Sequence, residues 1–433
     1  MKILNHVCPG CTLLCDDIEL SENGSTWDAS RACELGQSHF QIEQPPKPTC
    51  RVSGDEAALA VALGRATELL AGAKAPLICG LNQLSTQAQQ AAWKIADCVG
   101  ATIDTTLSND GRSNMFALQQ SGKVSATLGE IASRSDVIVF WFCDPVTTHP
   151  RLLERLAKPT GHPKRRVIVV DEQETSTAKQ ADRFFQIQKT AAPALLAVLR
   201  ANLLGADVDA SRVESSTGLS GFQVSDLLTM LTSASYGSLL YDQSNPDSVF
   251  DLESDSLSRL VRSLNDTTRF VALKLRHDAN AQSGENVLAW SSGFSFAVNH
   301  ALGFPRSNWL EHSAETVLVR GECDAVLWVG GKEAQAEIAG LPQAAQDTLQ
   351  SVPVIFLSSG LSTDARGGDE GDVQLIQPHV EFEIGLPGLS GSGEFVRLDD
   401  VSLPVKTAGN AMEPSALSIL EQVRVRLEEW QMG

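Results

Sequence analysis

The sequence has no surplus of basic residues. Its 34 Lys and Arg stand against 53 Asp and Glu, a formal net charge of −19. Nucleic-acid binding needs a basic patch or stripe to neutralise phosphates, so this balance argues against such a partner. The acidity reads as a solubility feature. Long hydrophobic runs are also missing: no stretch of about 18 uncharged apolar residues, the length that crosses a bilayer, occurs anywhere. The opening segment MKILNHVCPGC lacks the apolar run of a signal peptide, and the expectation is a cytoplasmic chain without a membrane partner. Internal repeats and low-complexity tracts are absent too.

What is present suits packed cores. Apolar residues make up 42% and charged residues 20%, which argues against disorder, and 433 residues predict two or three domains. Residues 1–50 form a turn-rich unit, and Pro45, Pro46 and Pro48 mark its end. DEAALAVALGRATELLAG predicts a helix from Asp55 to Gly72, with acidic residues in its first turn. Short apolar runs then alternate with helical segments. The runs are APLICG (75–80), DVIVFWF (136–142), RVIVV (166–170), GSLLY (237–241), RFVALKL (269–275), DAVLWV (324–329) and PVIFL (353–357). Among the helices, LSTQAQQAAWKIADC carries Ser85 or Thr86 as cap, and PALLAVLRANLL spans 193–204. The C-terminal helix should bury Leu417, Leu420, Val423, Leu427 and Trp430. Such alternation predicts parallel sheets covered on both faces. Ligands of such sheets bind at the carboxyl ends of the strands, which points to the loops after residues 80, 142 and 170.

Nine cysteines are present, four of them in the first 33 residues. Cys8, Cys11, Cys15 and Cys33 have the spacing C-x2-C-x3-C-x17-C, with Pro9 and Gly10 forming the turn. In a cytosolic chain such a cluster suggests metal or redox chemistry. Three thiolates on one loop and a fourth from a distance can wrap a [4Fe–4S] cluster; zinc and an empty site are the alternatives. Asp16 and Asp17 would add negative charge beside it. Cys50, Cys79, Cys98, Cys143 and Cys323 lie mostly in apolar segments and read as inert thiols. His277, His300, His312 and His379 form no metal motif.

VCPGCTLLCDDIEL followed by ACELGQSHF resembles the start of the B subunit of formylmethanofuran dehydrogenases. SATLGEIASRSDVIVFWFCDPVTTHPRLLERL, VIVVDEQETSTAKQADRFFQI and WSSGFSFAVNHALGFPR (290–306) resemble further blocks of that family, in its order and spacing. RGECDAVLWVGG and GSGEFVRLDD complete the run. The resemblance implies a molybdopterin-oxidoreductase type of α/β fold: an N-terminal cysteine-cluster subdomain (1–50) followed by two interleaved doubly wound parallel-sheet domains. The first would be split over 51–115 and 311–405, the second would cover 116–310, and residues 406–433 would form the C-terminal helix. It also implies a [4Fe–4S] cluster beside a tungsten- or molybdenum-pterin guanine dinucleotide. The barrel that covers the pterin in larger relatives is absent here; the family takes it from a partner subunit.

The chain departs from that family where the redox centre would be. The metal-ligating cysteine or selenocysteine falls in the segment matching TTLSNDGRSN (105–114), where Asn109 stands at or near the ligand position. Neutral Asn is a poor ligand beside thiolate; Ser108 or Asp110 would be the oxygen alternatives. In the first dinucleotide loop, Phe142 replaces the family's Gly, and Cys143, Asp144 and Pro145 precede His149, Pro150 and Arg151. In the second, Glu172 and Gln173 replace Pro-Arg, while Asp171, Thr177, Ala178 and Asp182 survive. These changes remove glycine and a cation and add carboxylates where a pyrophosphate would sit. The survivors also read as turn and cap residues that hold the loop, with His149 and Arg151 bracing it after the strand. The resemblance extends to a bacterial formyltransferase/hydrolase complex. There an amidohydrolase-like A subunit and a formyltransferase D subunit carry the chemistry and work with B and C subunits. It implies a scaffold B subunit with a degenerate pterin site; a redox-active subunit and an iron–sulfur-only module are the alternatives.

Overall fold

The structure, a computed structural model, describes residues 1–43, 48–105, 117–157, 165–206, 208–242, 252–277, 280–330, 338–359 and 376–432. The chain divides into two compact units. One comprises Met1–Leu107, Asp278–Arg397 and Ser402–Gly433; the other comprises Ser108–His277 with Leu398–Val401. The expected pieces 1–50 and 406–433 fall within the first unit. Residues 278–310, expected in the second domain, also group with the first. The reason is long-range packing: the helix Ala281–Ser292 lies on the helix Thr86–Val99, and the strand Val298–Asn299 pairs antiparallel with Thr102–Ile103.

The first unit is built on a sheet that has nine strands among the described residues. Its centre is parallel, in the order Thr102–Ile103, Pro76–Gly80, Ala325–Gly330, Val354–Ser358, Val380–Glu383. These strands are largely apolar because both faces are covered. Ile78, Leu327, Val329, Ile355 and Leu357 pack with the helices Leu59–Gly72, Thr86–Val99 and Ala416–Met432. Leu77, Val326, Trp328 and Phe356 face the helices Ala314–Arg320 and Gln343–Ser351. Ser85 caps its helix by accepting the N–H of Ala88, and Gly100 ends it in the left-handed conformation.

Two sequence expectations shift. The first helix starts at Leu59, not Asp55, because Asp55–Glu56 turn back to pair with Cys50–Val52. The turn residues Ser53 and Gly54 both have positive φ, the geometry of a tight hairpin. The C-terminal helix buries Ile419, Leu420, Val423 and Leu427, but Trp430 is 58% exposed.

The second unit holds a fully parallel sheet in the order Arg183–Gln186, Arg166–Asp171, Val137–Trp141, Tyr236–Tyr241, Arg269–Lys274. Val137, Val139, Trp141, Leu239 and Phe270 pack with the helices Ala192–Leu203, Ala210–Thr217, Gly221–Thr232 and Leu252–Leu264. In the first unit, a small antiparallel sheet of Lys2–His6, Ile18–Asn23 and Thr26–Ser30 carries the first cysteines. Among the described residues no helix is long and apolar enough to cross a membrane.

Candidate functional site

The cysteine loop leaves the strand Lys2–His6 and returns into Ile18–Asn23. Cys8 donates its N–H to the carbonyl of Cys15 at 2.8 Å, and Leu14 donates to Cys11 at 3.3 Å. Cys33 stands at the start of the helix Glu34–Phe40. Cys8 and Cys15 are buried, whereas Cys11 and Cys33 are partly exposed. Burial pushes the Cys8 thiol well up, the nearby Cys11, Cys15 and Cys33 push it the same way, and only the Gly10 N–H opposes them. The four thiols therefore share one neighbourhood. Space beside Cys8 is kept by Gly36, where a Cβ would lie 3.0 Å from the sulfur. None of the nine cysteines is in a disulfide. Among the described residues no three His, Cys, Asp or Glu side chains group as one metal ion requires. Of the remaining cysteines, Cys50, Cys79, Cys143 and Cys323 are buried, as inert thiols should be, while Cys98 is half-buried. Burial raises the thiols of Cys50, Cys98, Cys143 and Cys323, the last to about 11.

The loop after Gly80 lies in the first unit. Gly80 has φ +97°, and a Cβ there would meet the Val329 carbonyl oxygen at 1.9 Å. Buried Gln89 donates to the carbonyls of Leu81 and Asn280, and Asn280 donates to Leu84 at 2.6 Å. Two side-chain oxygens of residues that flank Gly284, Gln89 Oε1 and Thr105 Oγ1, are buried without a hydrogen-bond partner. Ser108, Asn109 and Asp110 lie outside the described residues.

The loops after residues 142 and 170 lie in the second unit, at the carboxyl ends of Val137–Trp141 and Arg166–Asp171. Phe142 has φ +46°, a left-handed conformation that glycine adopts without strain, and its ring meets Trp141 edge-on with centroids 5.7 Å apart. Asp144 ties the loops together. Its Oδ1 accepts the Thr177 N–H at 2.8 Å and the Thr177 hydroxyl at 2.5 Å, and its Oδ2 accepts the Thr147 hydroxyl at 2.7 Å. Partial burial raises this carboxyl, but the Thr177 and Thr147 hydrogen bonds outweigh that and hold it below 3.8. Thr177 Oγ1 also accepts the N–H of Val146 at 3.2 Å.

The second loop is closed in the same manner. Asp171 Oδ1 accepts the Glu172 N–H at 2.7 Å. Burial raises the Asp171 carboxyl, and the charges of Glu172 and Asp144 add to this against backbone N–H donors from Glu172 and Gln173. Glu172 Oε1 accepts the Lys189 N–H at 2.7 Å. Asp182 Oδ2 accepts the Val167 N–H at 2.9 Å and pins the strand start. His149 is buried, with Nε2 donating to the Arg276 carbonyl at 2.9 Å and Nδ1 2.9 Å from the Thr148 hydroxyl. Burial lowers its pKa to about 4, and the neighbouring His277 contributes. Arg151 pairs with Glu154 at 2.7 Å. No local pattern singles out Asp242 or Arg276. His277, which the sequence marks only as structural, meets Asp242 at 2.5 Å. All three come from neighbouring strand ends, so only the sheet order brings them to the loops.

No family model matches the chain. Its curated relatives include the B subunit of tungsten-containing formylmethanofuran dehydrogenase 2 from Methanocaldococcus jannaschii, 30% identical over 82% of this chain and 84% of that one. The protein of the same name from Methanococcus maripaludis is 28% identical over 94% of both chains. The B subunit of the formyltransferase/hydrolase complex Fhc of Methylorubrum extorquens is 26% identical over 87% of this chain and 98% of that one. The crystal structure of that organism's FhcABCD complex with methylofuran contains a chain matched at TM-score 0.69 and 24% identity, covering 89% of this chain and 100% of that one. Acetylene hydratase from Pelobacter acetylenicus matches at TM-score 0.59 and 14% identity, over 98% of this chain and 70% of that one. The two structures speak for the fold, a mixed α/β architecture with parallel sheets. Identity of 30% across most of both chains decides the lineage: this chain belongs to the family of formylmethanofuran dehydrogenase B subunits.

Proposed function

We propose that this chain is the B subunit of a formyltransferase/hydrolase complex in methanofuran-linked one-carbon metabolism. Its partners are an amidohydrolase-like A subunit, a C subunit and a formyltransferase D subunit, and it acts as a scaffold with a degenerate metallopterin site. One observation carries this reading: the loops that would cradle a dinucleotide satisfy their own N–H groups with their own carboxylates. Asp144 takes Thr177, Asp171 takes Glu172, and Glu172 takes Lys189. A bound pyrophosphate would have to displace internal anions and sit beside their charge. The relatives support the assignment: the B subunit of the Methylorubrum extorquens complex aligns over 87% of this chain and 98% of its own length, and the crystal structure of that complex contains a chain of similar fold.

The four converging thiols suit a [4Fe–4S] cluster, which Cys8, Cys11, Cys15 and Cys33 would hold; it would supply one-electron transfer. A second reading, a redox-active subunit with tungsten- or molybdenum-pterin, draws on Gln89 Oε1 and Thr105 Oγ1, buried polar atoms that a ligand would satisfy. Metal and pterin analysis of the anaerobically purified complex separates the two. The scaffold reading expects formate release from formylmethanofuran and no reduction of a viologen dye. Dye reduction that tracks with bound tungsten or molybdenum overturns it and makes Ser108 and Asp110 the candidate ligands.

A further inference from the structure

The turn that carries Cys8 and Cys11 does not stand alone. It rests on the loop 385–391, more than 370 residues later in the chain. His6 is buried, and its Nε2 is 3.0 Å from the Gly388 carbonyl oxygen. A carbonyl only accepts, so that nitrogen carries the proton. His39, on the helix that follows Cys33, places Nε2 2.8 Å from the Pro387 carbonyl oxygen and donates to it in the same way. The two histidines flank the cysteine motif, one before Cys8 and one after Cys33, and grip adjacent carbonyls. The space between them is tight. Gly388 has φ +78°, and a Cβ there would lie 2.9 Å from Pro9 Cδ and 3.0 Å from Pro9 Cγ. The same Gly388 carbonyl accepts the Ala408 N–H at 3.1 Å, which links the grip to the C-terminal segment.

We propose that His6 and His39 are positioning residues of the cysteine site, a two-point clamp that seats the Cys8–Cys15 loop on Pro387 and Gly388. The clamp keeps the Cys8 and Cys15 sulfurs shielded and lets the four cysteines hold a metal–sulfur centre. Its second half rests on the cluster reading above; its first half does not.

The test uses the full chain and three variants: H6A/H39A, the donor-retaining H6Q/H39Q, and G388A. In metal-free protein, alkylation by a maleimide is followed at each cysteine by mass spectrometry. Cys8 and Cys15 should label at least about tenfold faster in H6A/H39A, the scale of one buried and one partly buried hydrogen bond lost together. H6Q/H39Q should restore part of the protection, and G388A should expose Cys8 by pushing on Pro9. Cys79, buried in the large sheet, serves as the internal control for unfolding. Unchanged labelling of Cys8 in H6A/H39A overturns the clamp, as does equal acceleration at Cys79. After anaerobic reconstitution with iron and sulfide, iron loss to a chelator should also be about tenfold faster in H6A/H39A. Wild-type protein that takes up no iron removes the cluster reading and the second half of the proposal, and the labelling still decides the clamp.

Discussion

Asp144 and Thr177 join two loops through a single carboxylate oxygen, which accepts both the Thr177 N–H, at 2.8 Å, and its hydroxyl, at 2.5 Å. The pair lies where relatives of this family are expected to hold a dinucleotide. The acid therefore has a structural partner, and its removal should be felt in stability before it is felt in binding. Asp144→Ala should destabilise the chain by about 1.5–3 kcal/mol, the range for hydrogen bonds to a charged group. Denaturant unfolding is the measurement; a change under about 0.5 kcal/mol, typical of uninvolved surface positions, would contradict the bracing role. The carboxyl is held below its ordinary 3.8 in the folded chain, so its contribution is full above that pH and fades as pH falls through the lowered folded value.

Phe142 should show an inverted mutational order. Its backbone is left-handed, which costs a non-glycine residue about 1–2 kcal/mol. Phe142→Gly loses the contact with Trp141 but relieves that strain, so it should fall within about 1 kcal/mol of the parent. Phe142→Ala loses the contact without relief and should be the less stable variant. Equal stabilities, or a more stable alanine variant, would mean that the strain is not felt.

His149 gives the second unit a pH response. Its folded pKa is lowered to about 4 by burial, against 6.5 in the unfolded chain. The unfolded state therefore binds more protons between those values, and stability rises with pH across that window. The contribution is complete above 6.5 and is lost as pH falls to 4, a span on the order of 3 kcal/mol. His149→Gln keeps a donor for the Arg276 carbonyl and should flatten the stability profile there. A profile as steep as the parent's would assign the titration to another group.

Cys11 is partly exposed at the cysteine site, so its removal should spare the core. If the site takes a [4Fe–4S] cluster, Cys11→Ser should abolish the broad visible absorption and the bound iron of reconstituted protein while the melting temperature of the metal-free chain moves little. Iron that stays bound at parent levels would take Cys11 out of the ligand set.

Short-range patterns are legible in the residue string itself. The apolar runs form the strands Pro76–Gly80, Val137–Trp141, Arg166–Asp171, Tyr236–Tyr241, Arg269–Lys274, Ala325–Gly330 and Val354–Ser358, since a strand buried on both faces must be apolar along most of its length. The Ser85 cap is legible because its hydrogen bond reaches only three residues ahead. Family membership is legible in the cysteine spacing and the loop motifs, and the relatives agree. Tertiary structure alone decided the remaining features. By sequence, Asp144 is a charge opposing a pyrophosphate; across 33 residues it meets Thr177, a partner that no local pattern names. Residues 278–310 join the first unit because their strand pairs with Thr102–Ile103. The turn at Cys8 rests on Gly388 through a contact that only chain crossing creates. Burial and capping are encoded within a few residues, whereas the partner of a polar group depends on which strands the fold sets side by side.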